Sequence, residues 1–415
     1  MVDSTGKACS VPKAQRTEPP PRRCHNHFEG GGVLCTKRGL CESLVAHFLH
    51  FGRDPFGAVP LTFLVHGSSD PQFAMFEDAY RYFSDESKQR IWIVKPAEWA
   101  NRGCGIRIFK TIEEVRARVD AKERAWAIQK YIEKPLLVHG RKFDIRAYCL
   151  LLQDPTNWSF KAFYYRDAYL RTTSAQYTTK NLDRMVHLNN DAVQKHGDNY
   201  GKFESANKMS LDEFQKYLDE HHVRTINVRE DLMPQIQGLM ADAVQATVAM
   251  MNPRQIANCF EVFGFDFMVD ADFRVWLIEC NANPCLDLCS AYLSHLIPTM
   301  LDSALQLTVD QMFGDLGAGS GKEAAPNKWD LLFDTAEAPE ALRSTWVEEL
   351  DPCAEDGFTR MGSLGRQLLG KSRPRAKKGS KAASRQKDAE KAVPDNPDAT
   401  AEDAAVSNEG GEEQK

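Results

Sequence analysis

The segment FEVFGFDFMVDADFRVWLIECN, residues 260–281, restricts this chain more than any other. It reads as two strands joined by a short turn at ADFR, 271–274. Period-two alternation puts Phe263, Phe265, Phe267 and Val269 on one face and Asp266 on the other. By the same rule Leu277, Glu279 and Asn281 share a face of the second strand. A hairpin symmetric about the turn pairs Asp270 with Val275 and so sets Asp266 opposite Glu279. Directly opposed residues sit about 5 Å apart, where like charges destabilise. Two facing carboxylates and an amide on so apolar a frame make sense with a cation between them. Oxygen-only ligation suits Mg2+ or a similar hard ion, usually shared with phosphate. The alternative is a surface hairpin with solvated carboxylates; the second strand carries almost no other polar residue, which weighs against it.

Phosphate chemistry also needs donors. The strand-like IWIVKP, 91–96, runs into the loop AEWANRGCG, 97–105. Lys95 closes a buried strand, where an ammonium is costly unless it meets an anion. The loop supplies Arg102 and a Gly-x-Gly pair, Gly103 and Gly105, whose amides can approach a phosphate closely. An ordinary hairpin turn is the competing reading. GAGSGKE, 317–323, is not a P-loop: its first glycine is misplaced and no Ser or Thr follows Lys322. In QKYIEKP, Gln129, Lys130, Tyr131 and Ile132 end a strand whose free backbone groups can bond an adenine edge. RKFDIRAY puts Lys142, Asp144 and Arg146 on one face of a strand and Phe143 and Ile145 on the other. That pattern reads either as an amphipathic edge or as a set that grips phosphates or carboxylates. Arg171, in AYLRTT, is a further cation near a strand end.

With 415 residues, 42% of them hydrophobic and 27% charged, the chain can bury a large core of one to three lobes. The net charge of −6 gives no reason to expect nucleic acid. Membrane insertion is not expected: no apolar run spans a bilayer, the first 23 residues lack a signal core, and no lipidation box is present. The 11 scattered cysteines are expected to be free thiols of a cytoplasmic protein. An α+β chain is expected: residues 1–24 disordered, a small N-terminal lobe over 25–89, a core over 90–315, and a linker and mostly disordered tail over 316–415. Capping boxes open helices at Thr111 with Glu114 and at Ser210 with Glu213. A closing helix from 291 is broken near Pro298. NKWDLLFD, 327–334, is an apolar island in the tail, and KSRPRAKKGSKAASRQK, 371–387, a basic block.

Eight blocks resemble the tubulin–tyrosine ligase-like enzymes, in the order found in that family. They are WIVKP, the RGCG loop, QKYIEKPLL, GRKFDIRAY, YLRTT, VHLNNDAVQKHGDNYGKFE, FGFDFMVD and WLIECNANP. The resemblance covers about residues 26–313. It implies an ATP-grasp fold, with nucleotide held between two mainly antiparallel sheets. It also implies an ATP-dependent ligase that joins a free amino acid to a peptide carboxylate, mostly on tubulin tails, through an acylphosphate. On that basis Lys95 and Lys130 contact ATP phosphates, with Arg102, Gly103 and Gly105 in the loop. Gln129 to Ile132 line the adenine, and Lys142 and Asp144 flank the nucleotide with Asn189 and Asn190 nearby. Asp266, Glu279 and Asn281 hold Mg2+. Arg146 and Arg171 meet the amino-acid or tail carboxylate, and Lys142 and Arg146 are the catalytic pair.

Departures from the family pattern leave the amino acid open among tyrosine, glutamate and glycine. Asn189 stands where many members have Thr, and Ala282 where glutamate-adding members often carry His. Lys208, a candidate substrate contact, matches a lysine of those same members. The stretch 181–204 looks most like tyrosine ligase itself. The acceptor is open too, tubulin or microtubules first. A monomer associated with the cytoskeleton, cilium or flagellum is expected. Two alternatives stand: a same-fold ligase on a non-tubulin acceptor, and a catalytically dead microtubule-binding relative.

Overall fold

The computed structural model describes residues 23–85, 90–100, 103–222, 225–313 and 327–337. Arg102, the linker and tail expected over 316–415 except for 327–337, and the basic block lie outside these residues, as does all but the end of the segment 1–24. The described chain is built on two antiparallel sheets. The smaller has the order β1-β4-β2-β3, with β1 Thr62–Val65, β2 Trp92–Pro96, β3 Arg107–Phe109 and β4 Trp126–Lys130. One face carries Phe63, Trp92, Val94, Trp126 and Ile128 into the main core. The helix Pro71–Asp85 contributes Phe73 and Phe76 there, and Ile112–Asp120 contributes Val115 and Val119.

The larger sheet contains β5 Leu137–Val138, β6 Arg141–Gln153, β7 Phe160–Tyr165, β8 Tyr169–Gln176 and β9 Lys208–Ser210. It is completed by β10 Phe260–Val269, β11 Val275–Asn281 and β12 Trp329–Asp334. Its path is β11-β10-β6-β7-β12, with β8 alongside the first half of β6 and β9 beyond β8. The long strand β6 is the axis. Its odd residues, from Phe143 through Leu151, enter the main core with Phe263, Phe265 and Phe267 of β10 and Ile236 and Leu239 of the helix Met233–Gln245. Its even face is divided. Tyr148 and Leu150 are covered by Leu293, Leu296, Ile297 and Met300 of the helix Ala291–Leu307. Lys142, Asp144 and Arg146 occupy the other half and line cavities. Burial of each large apolar side chain contributes about 1.5–3 kcal/mol. The apolar half therefore anchors the sheet while the charged half forms a site.

Both capping boxes form, at Thr111–Glu114 and Ser210–Glu213. Two expectations change, at Pro298 and at residues 327–334. Pro298 does not break its helix, which runs from Ala291 to Leu307 because its apolar stripe packs across the sheet on both sides of the proline. β1, from the N-terminal segment, pairs with β4. The island 327–334 is not tail but strand β12, paired with β7 from Trp329 to Asp334. Trp329 is buried against Tyr165, and its indole donates to the Met300 carbonyl at 3.2 Å. Among the described residues no helix is long and apolar enough to cross a membrane.

Candidate functional site

The charged half of β6 forms one row with its neighbours. Asp144 lies beside Arg171 of β8, Arg146 beside Asp266 of β10, and Asp266 beside Glu279 of β11. Register and salt bridges alternate along it. Arg171 grips Asp144 through two hydrogen bonds, at 2.6 and 2.9 Å, and reaches Asp266 Oδ2 at 2.7 Å. Arg146 Nε donates to Asp266 Oδ1 at 2.5 Å, and its Nη2 to Oδ2 at 3.3 Å. Burial alone would raise the Asp266 carboxyl, but Arg146 and Arg171 outweigh it and hold the group well below the usual carboxylate range. For Asp144 burial wins, and its pKa is raised despite Arg171.

The Asp266–Glu279 pairing arises differently from the symmetric hairpin. Val269, not Asp270, pairs with Val275, and the ladder descends as Met268–Trp276 and Phe267–Leu277. A β-bulge then adds Ile278, and Asp266 comes level with Glu279. The bulge also reverses the facing of β11. Leu277 and Cys280 enter the core, whereas Ile278 and Glu279 line the cleft. Leu277 and Glu279 therefore do not share a face. Without the extra residue Glu279 would point into the apolar core.

The repulsion expected between the two carboxylates is answered by Arg146 and Arg171, from strands far away in sequence, so it does not by itself demand a metal. The donors nevertheless suit a hard cation in kind. Asn281 lies beside both carboxylates, its Nδ2 donating to Asp266 Oδ2 at 3.5 Å and to Glu279 Oε1 at 3.4 Å, and its amide oxygen is the atom of that side chain that could ligate a cation. Among the described residues no cluster of three His, Cys, Asp or Glu side chains is placed to bind a metal.

Between the sheets is a cavity of about 70 Å3. Lys95, Gln129, Tyr131, Ile132, Lys142 and Asp144 line it, together with Lys130, Arg171, Asn189, Asn190, Asp266 and Glu279. Lys95 is buried, donates to Gln129 Oε1 at 2.8 Å, and has its pKa pushed down to about 8, chiefly by burial, with Glu279 opposing. Gln129 is tied in turn to Thr62 Oγ1 at 2.9 Å. Lys142 donates to the His187 carbonyl at 2.7 Å and to Asn189 Oδ1 at 3.2 Å. Burial pushes it too down to about 8, against the pull of Asp144.

Lys130 lines the cavity with its side chain already engaged. It shares a face of β4 with Trp126 and Ile128, away from the cleft side of Gln129. Its ammonium donates to the Ile91 carbonyl at 2.8 Å and to Glu133 Oε1 at 2.7 Å, so its structural partners already engage it. Asn189 is a strut: its amide donates to the carbonyls of Lys142 and Arg171 at 3.1 and 2.8 Å. Gly103 and Gly105 both have φ +72, which favours glycine, but neither lines the cavity. Their carbonyls accept from Arg184 and Arg118 at 3.0 and 2.8 Å.

A second cavity of about 500 Å3 adjoins the first and shares Arg171, Asn190 and Glu279 with it. Arg146, Lys208 and Asn281 line it, with Tyr169, Asp191, Lys195, Cys285 and Cys289, which the sequence reading does not single out. Lys208 is held by Asp191 Oδ1 at 2.8 Å. Among the described residues Arg146 Nη1 is buried without a hydrogen-bond partner. An unpaired buried donor is costly, so this cavity is suited to an anion. His187 is also absent from the predicted set. It lies against the first cavity, and its Nδ1 is 2.8 Å from the Tyr131 hydroxyl. Its signal is the His-Leu-Asn-Asn run, which points to Asn189 and Asn190 as well.

A two-sheet cleft that leads from buried lysines to an arginine-lined chamber defines a ligand-binding α+β protein. The tubulin-tyrosine ligase family model matches residues 15–315, and the chain belongs to that family. It is 33% identical over 238 residues to tubulin monoglycylase TTLL3 of Homo sapiens, a match covering 55% of this chain and 30% of that protein. With tubulin glycylase 3B of Tetrahymena thermophila it shares 32% identity over 237 residues, covering 55% of this chain and 19% of that protein. With tubulin glycylase 3B of Drosophila melanogaster it shares 32% over 237 residues, covering 54% and 30%. The chain thus spans less than a third of the length of these relatives.

Proposed function

We propose that this chain is an ATP-dependent carboxylate–amine ligase of the ATP-grasp type that adds an amino acid to a tubulin tail. The relatives named as glycylases favour glycine as that amino acid. The observation that carries the reading is the pair of joined cavities, one lined by the buried lysines and carboxylates, the other by Arg146, Arg171 and Lys208. A ligase of this kind needs both, because ATP must activate one carboxylate while a second substrate waits beside it.

In this reading the adenine lies by Tyr131 and Ile132 and the phosphates by Lys95 and Lys142. Widening of the first cavity accompanies nucleotide entry, since ligand pockets usually measure about 300–1,000 Å3. The tail carboxylate attacks the γ-phosphorus and expels ADP, giving an acylphosphate. The amine of the incoming amino acid then displaces inorganic phosphate and forms the amide, losing a proton. Arg146 Nη1 receives the carboxylate of the incoming amino acid, and Lys208 helps to hold the acidic tail. Glu279, Asn281 and the outer edge of Asp266 would hold Mg2+ together with phosphate oxygens, as is usual for an ion that keeps few protein ligands. The metal would supply charge neutralisation during phosphoryl transfer.

Incubation of the protein with tubulin, ATP, Mg2+ and each amino acid separately, followed by mass spectrometry of the tails, tests the reading. Tails carrying added glycine are the expected product. Turnover only on another protein would move the acceptor away from tubulin, and absence of any nucleotide-dependent product would refute the ligase.

A further inference from the structure

A cation outside the predicted set reaches the same row from the N-terminal segment. Lys37 opens the helix Lys37–His50, and its Nζ lies 3.5 Å from Glu279 Oε2 and 3.4 Å from the Ala100 carbonyl. Both contacts are long for an ammonium, which normally finds oxygen at about 2.7–2.9 Å when charged partners meet. Its side chain is only 13% exposed. Lys37 also lines a narrow chamber of about 20 Å3 whose walls include Lys95, Gln129 and Ile278, three residues of the first cavity. A chamber of that size admits about one water-sized group. A phosphate oxygen meets that limit; a base or a sugar does not.

Charge points the same way. Lys37, Lys95 and Lys142 supply ammonium groups around the row, and Arg146 and Arg171 supply guanidiniums. Asp144, Asp266 and Glu279 are the carboxylates that oppose them. Lys130, Lys195 and Lys208 add to the cations of the adjoining cavity walls, and Asp191 and Asp287 to the carboxylates, so cations remain in excess. A nucleotide that stays anionic with Mg2+ bound would offset that excess. Lys37 lies close enough to Lys95 to disfavour the charge of that buried ammonium, which an anion between them would restore.

We propose that Lys37 is a phosphate-binding residue of this site. It meets the terminal phosphate from the chamber that it shares with Lys95 and steadies Glu279 at the same time. The inference rests on the ligase reading and adds a side chain that lies outside both sheets. Lys37 thereby makes docking of the N-terminal helix a condition for binding ATP rather than ADP.

The test is calorimetric titration of the full chain with Mg2+ and either a non-hydrolysable ATP analogue or ADP. Lys37→Met keeps the apolar stem and removes the charge, and Lys37→Arg keeps the charge. Lys37→Met is expected to weaken the ATP analogue about tenfold to a hundredfold, the range for one charge-assisted hydrogen bond. It should leave ADP affinity within about twofold, and Lys37→Arg should restore most of the loss. Equal weakening of both nucleotides would mark a structural role and overturn the inference, as would an unchanged affinity for the ATP analogue. A wild-type protein that binds neither nucleotide would overturn the ligase reading as well.

Discussion

Arg171 joins three strands of the site, and Arg171→Met measures what that junction is worth. The guanidinium serves two buried carboxylates at once, Asp144 through two hydrogen bonds and Asp266 through an ion pair. Methionine keeps the stem and removes the charge, leaving Asp144 with no guanidinium on it and Asp266 with Arg146 alone. Removing one partner of a buried ion pair costs about 3–5 kcal/mol, mostly because the other charge is stranded. For a body of this size each kcal/mol shifts the melting temperature by about 2 °C, so calorimetry at neutral pH should show a drop of about 6–10 °C. Asp144→Asn in the same background removes the stranded charge and should recover about 1–3 kcal/mol, a coupling typical of residues in contact.

The pH dependence carries a sign. The depressed Asp266 carboxyl contributes stability above its unfolded pKa and loses it as pH falls towards the folded value. Without Arg171 that depression is smaller, and the raised Asp144 rises further. The stability gap between wild type and variant should therefore be widest near neutrality and narrow below about pH 5, as the stranded carboxylates take up protons. Equal melting temperatures at neutral pH, a gap that does not change with pH, or no recovery on adding Asp144→Asn would each refute the ion-pair reasoning.

Glu279→Gln should leave the melting temperature nearly unchanged, since its long contact with Lys37 is worth at most about 1 kcal/mol. It should also abolish ligation; near-normal turnover would remove Glu279 from the metal site. Lys95→Ala should weaken a non-hydrolysable ATP analogue by about 1.5–3 kcal/mol in calorimetry. In wild type the same affinity should fall as pH rises through about 8, where free Lys95 and Lys142 lose their protons, because the bound anion favours the protonated form. Trp329→Ala should destabilise the fold by about 3–5 kcal/mol, the usual cost of emptying a buried tryptophan site; a chemical-denaturation midpoint equal to wild type would detach β12 from the core. Truncation after Gly370 removes the basic block 371–387 and should weaken microtubule co-sedimentation most at low salt, because solvated charges are screened within about 8 Å at physiological ionic strength. Saturating turnover should be unaffected.

The sequence by itself determined what is periodic or local. The alternation in β6 and β10 separated Phe143, Ile145, Phe263 and Phe265 from Lys142, Asp144, Arg146 and Asp266, and the two capping boxes marked helix starts. Order and spacing of the motifs were enough to suggest the family that the chain belongs to. Tertiary structure decided what depends on partners distant along the chain. The bulge at Ile278 set the face of Glu279, and a single inserted residue is invisible to a strict two-residue period. Arg146 and Arg171 balance Asp266 because β6, β8 and β10 assemble side by side, a neighbourhood that no hairpin-level argument contains. Lys130, which the family resemblance implies is a phosphate contact, shares a face of β4 with Trp126 and meets Glu133, a partner that the strand pattern does not show. An edge strand needs a partner to be recognised, and β12 found its partner in β7, more than 160 residues earlier in the chain.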